Sequence, residues 1–405
     1  MGYKLNTGLT KTSDTCKKND KNSQITRGMQ KNARKVAFYI GSLHKGGAER
    51  VFVNLAEYFL NQDYQVLMVT QYQYRKEEEY ELAKGVRRVI SDIAIQETTN
   101  SRIVNFFRRV RKLHRIWKEE KPDLVLSCVG KNNFMTIVTT MFTKTRPVVS
   151  VVGEAKEEYP NRLMKMLANM LFPFASGVIL QTERSREFFS GKVGRTAVIL
   201  PNSLNPLFIR PMFTGEREKR IVSVGRLDAN KNHEMMIRVF AKLAKKYPAY
   251  TLTIYGEGEL REHLQELIVT LGVEERVFLP GVILNVAEAI ERAALFLLIS
   301  YSEGVSNALI EAMALGLPVI ATDVPSGGTV ELIRHGENGW MIPVGDKEAL
   351  EAAMDQLLSD EDLARRLGCE AYKLQERFAP EKVNEQWRAY FDQCMERGKR
   401  ARSNR

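Results

Sequence analysis

The feature that most constrains the fold is an alternation of short apolar runs with amphipathic helical segments, clearest in one C-terminal stretch. Ala294–Ile299 is an apolar run of the length of one buried strand. A Ser-Glu-Gly turn and a helical pattern over 305–315 follow, and Gly316 and Pro318 end that helix before a second apolar run, Val319–Ala321. A strand, a helix and a strand in this order are the unit of a parallel sheet.

The same alternation recurs along the chain, and a Pro- and Asn-rich break at 201–206 divides it in two. Ligands of open parallel sheets bind at the carboxyl ends of the strands, so two α/β halves predict a cleft between them. Apolar runs that predict strands lie at Val36–Ile40, Val66–Thr70, Val89–Ile93, Leu124–Ser127, Val148–Val152, Gly177–Gln181 and Ala197–Leu200, and after the break at Ile221–Val224, Leu252–Tyr255, Val277–Leu279, Leu295–Ile299 and Val319–Ala321.

A chain of 405 residues is long enough for two domains. We predict a first Rossmann-like domain over 33–203 and a second over 204–379. Residues 380–396 carry an apolar stripe at helical spacing that must be buried, so we expect the C-terminal segment 380–405 to cross back to the first domain. Residues 1–32 are polar and Lys-rich without an apolar period, which predicts a disordered basic extension.

The net charge of +11 is concentrated in two segments. Residues 1–32 carry seven Lys or Arg and two Asp, whereas residues 101–118 carry seven Lys or Arg and no acidic residue. The remainder of the chain is therefore close to neutral. A nucleic-acid protein is disfavoured, because the basic charge is not spread over the protein and no aromatic-studded sheet motif accompanies it.

Cysteine usage and hydropathy indicate a cytoplasmic protein. The four cysteines form no C-x-x-C pair, which argues against a zinc site or a disulfide framework and favours a reducing compartment. No apolar run reaches the ~18 residues that a membrane span needs, and no signal peptide opens the chain.

The basic segment 101–118 has two interpretations that are compatible with each other. Ile103, Phe106 or Phe107, Val110, Leu113 and Trp117 recur at helical spacing. A surface helix would pack this stripe on the sheet. A membrane-binding helix would lie on an anionic lipid surface, where each basic residue contributes about 1 kcal/mol. A second candidate for membrane contact is the segment 162–174, which mixes Met, Leu and Phe with basic residues.

Two sites next to predicted strands suggest phosphate binding. The first strand leads into a loop that contains Gly46 and Gly47, but the dinucleotide pattern G-x-G-x-x-G and the Walker pattern are both absent, so an NAD enzyme and a P-loop NTPase are disfavoured. In the second half, the N-terminus of the helix after Gly304 can hold an anion between the carboxylates of Glu303 and Glu311. Such a site suits a nucleotide sugar, whereas the alternative is a capped helix with solvated acidic residues.

The C-terminal half resembles a known enzyme family. The stretch from Val222 to Asn232, VSVGRLDANKN, contains a strand, a Gly-Arg turn and a lysine ahead of a helix. Together with the unit from Glu303 to Glu311 and the sequence from Pro325 to Glu331, PSGGTVE, it resembles the retaining glycosyltransferases of family 4, which have the GT-B fold of two Rossmann-like domains. The resemblance covers residues 35–395, and its motifs occur in the family's order.

The resemblance implies roles for individual residues. In that family, cations in the positions of Arg226 and Lys231 grip the donor diphosphate, and the acidic residues in the positions of Glu311 and Glu303 bind the ribose and the donor sugar. It implies a catalytic set of Arg226, Lys231 and Glu303, a donor-binding set of Gly225, Gly256, Gly281, Gly304, Val305, Ser306, Asn307 and Glu311, and an acceptor or phosphate loop with Gly46, Gly47 and Glu154.

These assignments predict a metal-independent hexosyltransferase. Positioned cations stabilise the negative charge that develops on a leaving diphosphate, so no metal or other cofactor is expected beyond the nucleotide sugar, with UDP favoured. Solvated surface cations are the alternative for Arg226 and Lys231, and a tight strand–helix turn is the alternative for Gly46 and Gly47. Similar enzymes react on one face of the sugar, with the donor phosphate helping to deprotonate the acceptor.

One loop departs from the family pattern. Similar surface-polysaccharide transferases have Ser-x-Arg-Asn-Asp-Pro before a Tyr-Pro, whereas Val152 and Gly153 stand in the Arg-Asn positions here. Lys156, Glu154 or Glu158 could substitute in acceptor or donor contacts.

We expect a transferase at the cytoplasmic face of the plasma membrane that is peripherally bound through 101–118 and acts on a glycan or polyprenyl-linked acceptor in polysaccharide biosynthesis. The alternative is a non-catalytic nucleotide-sugar-binding partner in a polysaccharide assembly complex.

Overall fold

The computed structural model describes residues 33–93, 98–189 and 191–403, and the predicted extension over 1–32 lies outside the described residues. The strands are β1 (Lys35–Ile40), β2 (Gln65–Thr70), β3 (Arg87–Ile90), β4 (Leu124–Cys128), β5 (Arg146–Ser150), β6 (Gly177–Leu180), β7 (Val198–Ile199), β8 (Glu218–Val224), β9 (Thr251–Tyr255), β10 (Val277–Gly281), β11 (Ala293–Leu298), β12 (Val319–Thr322) and β13 (Trp340–Ile342).

Helices connect these strands. They are α1 (Gly47–Asn61), α2 (Arg102–Glu120), α3 (Lys131–Thr140), α4 (Ala155–Glu158), α5 (Arg162–Leu171), α6 (Glu183–Phe188), α7 (Gly191–Thr196), α8 (His233–Leu243), α9 (Arg261–Thr270), α10 (Val286–Ile290), α11 (Asn307–Ala314), α12 (Lys347–Ser359), α13 (Glu361–Tyr372), α14 (Leu374–Arg377) and α15 (Pro380–Ser403).

Strands β1 to β7 form one parallel sheet in the order β3-β2-β1-β4-β5-β6-β7. The sheet is buried on both faces, and side chains on the two sides of β1 belong to separate apolar clusters. Phe38 packs with Phe52 and Phe59 of α1, whereas Tyr39 packs with Trp117 of α2. Continuous apolar runs such as Val36–Ile40 are what a strand covered on both faces requires.

Strands β8 to β13 form a second parallel sheet in the order β10-β9-β8-β11-β12-β13. One face is covered by α8, α9 and α12, and the other face by α10, α11 and α14. Both sheets reverse their strand order beside the first strand of the sheet, β1 and β8, and this is where a cleft opens in an open parallel sheet. The predicted fold of two Rossmann-like sheets is confirmed.

The last helix, α15, returns to the first sheet. Val383, Trp387, Phe391 and Cys394 are buried in the same cluster as Phe38, and the Trp387 indole donates to the carbonyl of Pro201 at 2.9 Å. The predicted crossing of the C-terminal helix is therefore confirmed. This helix ties the first domain to the end of the second.

Two expectations need correction. Strand β13 was absent from the predicted set, because Trp340–Ile342 is three residues long and follows a polar turn. The stripe of the basic helix α2 is buried in its C-terminal half alone: Leu113 and Trp117 are covered, whereas Ile103 and Phe107 are 70% and 64% exposed. The N-terminal half of α2 extends past the part of the sheet that would cover it.

Among the residues that the structure describes, no helix has the length and apolar character to cross a membrane.

Candidate functional site

The floor of the site in the second domain is built from three glycines at neighbouring strand ends. Gly225 follows β8, Gly256 follows β9 and Gly281 ends β10, and backbone hydrogen bonds join Gly225 N to Tyr255 O at 3.0 Å and Gly256 N to Gly281 O at 2.9 Å. A Cβ at Gly256, where φ is +147°, would lie 1.8 Å from the carbonyl oxygen of Gly225. The strand ends therefore pack backbone against backbone, which a side chain would prevent.

Lys231 lies beside Glu303 because two turns are bonded together. Asn230 donates to Ser302 O at 2.8 Å and accepts from Ser302 N at 2.9 Å, so the turn after β8 is fixed to the turn after β11. Lys231 Nζ forms an ion pair with Glu303 Oε1, and the Ser300 hydroxyl donates to the same oxygen at 2.6 Å. The two side chains are 15% and 12% exposed, so the pair is held in a partly desolvated site.

Arg226 is arranged differently. Its side chain is 73% exposed and lies 3.0 Å from Asp228, so it projects into the cleft rather than against a wall. Its backbone is fixed by His233 at the start of α8, whose Nε2 lies 3.1 Å from the Arg226 carbonyl. Burial lowers the pKa of His233 to about 4, so the neutral imidazole donates to that carbonyl. No motif in the sequence indicates a role for this histidine.

Glu311 is the buried carboxylate of the site. It lies in the second turn of α11, is 4% exposed, and burial raises its pKa to about 6. Arg50 lies on α1 of the first domain, with its Nη2 2.5 Å from Glu311 Oε1, and its positive charge opposes this rise in the pKa of Glu311. Oε1 lies buried against this guanidinium, without a well-aligned hydrogen bond. The ion pair therefore holds the buried carboxylate from the side of the first domain.

The N-terminus of α11 faces the first domain. Ser306 caps the helix by accepting from Leu309 N, and Val305 N donates to Gln181 Oε1 at 3.2 Å. Asn307 contacts the carbonyl of Gly47 at 3.4 Å, so the N-termini of α11 and α1 face each other across the cleft. Two helix N-termini of this kind place positive partial charge on both sides of one space, which favours an anion there.

Two candidate residues have packing roles in this region. Gly304, which the resemblance assigns to the donor-binding set, packs closely against the first domain, since a Cβ there would lie 2.1 Å from the carbonyl oxygen of Val152. Glu158 was a candidate for ligand contacts, but its carboxylate accepts from the backbone N–H groups of Gly130, Val152 and Gly153 at 2.8 to 3.0 Å. It fixes the loop instead. Burial raises its pKa.

Glu154 and the two glycines of the first loop border the same cleft. Glu154 accepts from the Ser302 hydroxyl of the second domain at 2.8 Å. Gly46 caps α1, and a Cβ there would lie 2.4 Å from the carboxylate of Glu49. The structure thus brings the predicted residues of the two domains to one cleft.

A cavity of about 700 Å³ opens in the first domain at the carboxyl ends of β1 to β4. Its polar wall contains Gln71, whose amide donates to Tyr39 Oη at 2.8 Å and to Asn132 Oδ1 at 2.6 Å. Its apolar wall contains Phe106 of α2 and Val129, a β-branched residue with φ of +70°. A positive φ is a strained conformation for valine, and such strain is concentrated at functional sites.

Several residues of the cleft were missed by the sequence analysis, among them Arg50, His233, Gln181 and Asn202. Gln181 follows β6 directly, Asn202 lies three residues after the end of β7, and Asn202 donates to Asn307 Oδ1 at 3.1 Å. Polar residues that follow a buried strand lie at the ligand-binding edge of a parallel sheet, so this signal was available for Gln181 and Asn202. Over the described ranges, no three His, Cys, Asp or Glu side chains are grouped as a metal site requires.

Comparison with known proteins shows the same architecture. The chain is similar to an alpha-1,4-N-acetyl-D-galactosaminyltransferase of Campylobacter jejuni that is named for a diNAcBac-PP-undecaprenol substrate, with 26% identity over 359 residues, 87% of this chain and 97% of the relative. It is also 34% identical over 231 residues to an exopolysaccharide phosphotransferase of Streptomyces coelicolor, but this match covers 56% of the chain and 24% of that protein. The crystal structure of Anabaena HepE in complex with UDP and glucose superposes with a TM-score of 0.74 at 18% identity, over 89% of this chain and 99% of the other.

Family models match both halves. The model described as Glycosyltransferase Family 4 matches residues 45–206, and the model described as Glycosyl transferases group 1 matches residues 209–374. Because the two matches together span most of the chain and meet at the boundary between the two sheets, this protein belongs to the family 4 and group 1 glycosyltransferases, and its two Rossmann-like domains have the GT-B fold.

Proposed function

We propose that this protein transfers a sugar, with retention of anomeric configuration, from a UDP-sugar to a glycan on a lipid carrier in polysaccharide biosynthesis. The observation that carries the proposal is the buried carboxylate of Glu311, in the second turn of a helix whose N-terminus faces a second helix N-terminus. A nucleotide sugar matches this arrangement, since its ribose diol would bind the carboxylate and its diphosphate would lie between the helix ends.

The departing diphosphate is stabilised by side-chain cations. As the glycosidic bond breaks, negative charge moves onto the diphosphate, and Arg226 and Lys231 are the cations that we assign to this charge. Lys231 is already oriented by Glu303, which in turn is held by Ser300, so little reorganisation is needed. Glu303 then binds hydroxyls of the donor sugar. These interactions require no metal ion, so turnover should persist in the presence of a chelator.

Retention follows from reaction on one face of the sugar. In this mechanism the bond between the anomeric carbon and the diphosphate breaks while an acceptor hydroxyl approaches from the same side. A diphosphate oxygen takes the hydroxyl proton, and the new glycosidic bond forms with the original configuration. This route uses no carboxylate nucleophile, in contrast to the paired carboxylates of retaining hydrolases.

The acceptor binds in the first domain. The 700 Å³ cavity offers amide and hydroxyl groups for sugar hydroxyls and an apolar wall with Phe106 and Val129 for the sugar faces. Its mouth is continuous with α2, on which Ile103 and Phe107 are exposed among basic residues. The Campylobacter relative is named for an undecaprenol-linked substrate, which agrees with an acceptor whose lipid remains in a bilayer.

The basic helix α2 holds the enzyme at the membrane. Exposed apolar side chains on α2 would enter the acyl boundary, and its Arg and Lys residues would contact anionic headgroups. Leu163, Met166 and Met170 form a second exposed apolar stripe on α5, and Arg162 and Lys165 lie on the same helix. The protein would then act at the cytoplasmic face of the plasma membrane, where nucleotide sugars are available.

The proposal is tested by incubating the purified protein with UDP-sugars and an extract of lipid-linked glycans, and by following UDP release and the anomeric proton of the product by NMR. Release of UDP with the donor's anomeric configuration in the product, in the presence of EDTA, is the expected result. Inverted product, or a strict requirement for a divalent cation, would contradict the mechanism.

A second function is favoured by one departure in the sequence. Val152 and Gly153 replace the Arg-Asn pair that similar transferases have in this loop. A protein that binds the nucleotide sugar without transferring it would serve as a partner in an assembly complex. Nucleotide binding without product formation for any UDP-sugar, under conditions that support a related transferase, would favour this alternative.

A further inference from the structure

An ion pair joins the two domains across the cleft. Arg50 lies in the first turn of α1, and its backbone N donates to Gly46 O at 3.1 Å, so its helix position is fixed by the glycine loop. Its guanidinium reaches Glu311 of the second domain, with Nη2 2.5 Å from Oε1. The side chain of the arginine is 25% exposed and that of the glutamate 6%, so solvent screens this pair much less than a surface pair.

The pair lies among few other ionisable groups. On the first domain, Glu49 precedes Arg50 on α1, and Tyr80 lies close enough to feel the charges of Glu49, Arg50 and Glu311. Burial raises the pKa of both Glu49 and Tyr80, so Tyr80 is neutral at ordinary pH. Arg50 is the cation that opposes the effect of burial on Glu311, whose pKa is raised to about 6.

The charge state of Glu311 decides what it can bind. An ionised carboxylate accepts from two hydroxyl groups, whereas the protonated form must itself donate one hydrogen. Arg50 contacts Oε1, which is buried. The second carboxylate oxygen, Oε2, is then the one that would accept from a diol while Arg50 keeps the group charged.

We propose that Arg50 is a positioning residue for donor binding: from the opposite domain it keeps the Glu311 carboxylate ionised and available to the ribose diol. This inference rests on the proposed function, because it assumes that Glu311 receives the ribose. It adds a residue of the first domain to a ribose site that the sequence motifs place in the second domain.

The pH dependence of nucleotide binding tests the proposal. The folded-state pKa of Glu311 is raised to about 6, so wild-type affinity for UDP should fall as the pH drops through about 6. Removal of Arg50 withdraws the charge that opposes protonation, and an adjacent cation changes a carboxyl pKa by about one to three units. In Arg50→Met the fall in affinity should therefore begin at higher pH. A shift of one unit would weaken binding about fivefold at pH 6 and leave it nearly unchanged at pH 8.5.

The experiment is calorimetric titration with UDP from pH 5.5 to 8.5 for wild type, Arg50→Met, Arg50→Lys, Glu311→Gln and the Arg50→Met/Glu311→Gln double variant. The terminal phosphate of UDP titrates near pH 6, so Glu311→Gln supplies the reference curve for the ligand alone. Arg238→Met, which removes an arginine from an exposed pair with Glu234, is the matched control. Thermal unfolding of each variant checks that it is folded.

The proposal predicts a higher midpoint in Arg50→Met, a midpoint close to wild type in Arg50→Lys, and no effect of Arg50→Met in the Glu311→Gln background. Equal weakening at every pH would overturn it, since Arg50 would then contact the ligand or support the fold. If Arg50→Met does not fold, a Glu311→Gln curve identical to wild type would overturn it as well. Absence of UDP binding in folded wild type would instead refute the proposed function.

Discussion

Substitution of Lys231 by methionine should separate the structural role of the Lys231–Glu303 pair from its role in binding the donor. The two side chains are 15% and 12% exposed, and Lys231→Met leaves Glu303 charged in a partly desolvated site. Breaking a buried pair in this way costs about 3–5 kcal/mol. The hydrogen bond from Ser300, at 2.6 Å, remains and offsets about 1 kcal/mol, so we expect a loss of about 2–4 kcal/mol in the free energy of unfolding.

Replacement of both residues should recover stability but not binding. Lys231→Met/Glu303→Gln has no unpaired charge, so its unfolding midpoint in urea should return close to that of wild type. A charge-assisted hydrogen bond to the diphosphate contributes about 1.5–3 kcal/mol, so both variants should bind UDP about 10- to 150-fold more weakly than wild type. Lys242→Met is the control, because Lys242 pairs with Glu351 at the surface and its loss should cost less than about 1 kcal/mol.

Urea unfolding and UDP calorimetry on these four proteins measure both effects. A double variant no more stable than Lys231→Met would refute the view that the unpaired Glu303 is the source of instability. Unchanged UDP affinity in the double variant would show that Lys231 does not contact the diphosphate.

Three other substitutions test separate parts of the structure. Gly256→Ala places a Cβ 1.8 Å from Gly225 O and should destabilise the second domain strongly in urea unfolding. The control is Gly272→Ala, where a Cβ meets open space, and its smaller cost of about 1–2 kcal/mol reflects the positive φ alone. Trp387→Ala should cost about 3–5 kcal/mol because the buried indole packs on the first sheet, whereas Gln386→Ala, at an exposed position of the same helix, should lie within about 0.5 kcal/mol of wild type. Phe107→Ser should weaken sedimentation with anionic vesicles and leave UDP affinity unchanged, and equal vesicle binding would contradict the role of α2.

The sheets could be predicted from sequence because buried parallel strands have a strong local signal. Runs such as Val36–Ile40 and Leu295–Ile299 are continuous and apolar, and the helix patterns between them fix the βαβ order. Trp340–Ile342 has no such signal, since three residues can occupy one edge of the sheet with little apolar burial of their own.

Residues of the candidate site could be predicted only where they lie close together in one segment of the sequence. Gly225, Arg226 and Lys231 are close in sequence, and so are Glu303 and Glu311, so these two units were recognisable. Arg50 was not, because its partner lies in the other domain and no local pattern encodes a contact between distant segments.

The sequence also does not reveal how deeply each side chain of the site is buried or what packs against it. Glu311 could equally have been a solvated helix residue, and its burial results from the packing of α11 between the second sheet and the first domain. The packing of Gly304 could not be predicted for the same reason, because the carbonyl of Val152 that fills the space beside it belongs to the other domain.

The most direct test of the account is calorimetric titration of the purified protein with UDP, GDP and ADP, repeated with Glu311→Ala and Arg226→Ala. The account predicts micromolar binding of UDP, weaker binding of the other two nucleotides, and loss of UDP binding in both variants. A folded wild-type protein that binds none of the three nucleotides, or variants that bind UDP as tightly as wild type, would contradict the proposed donor site.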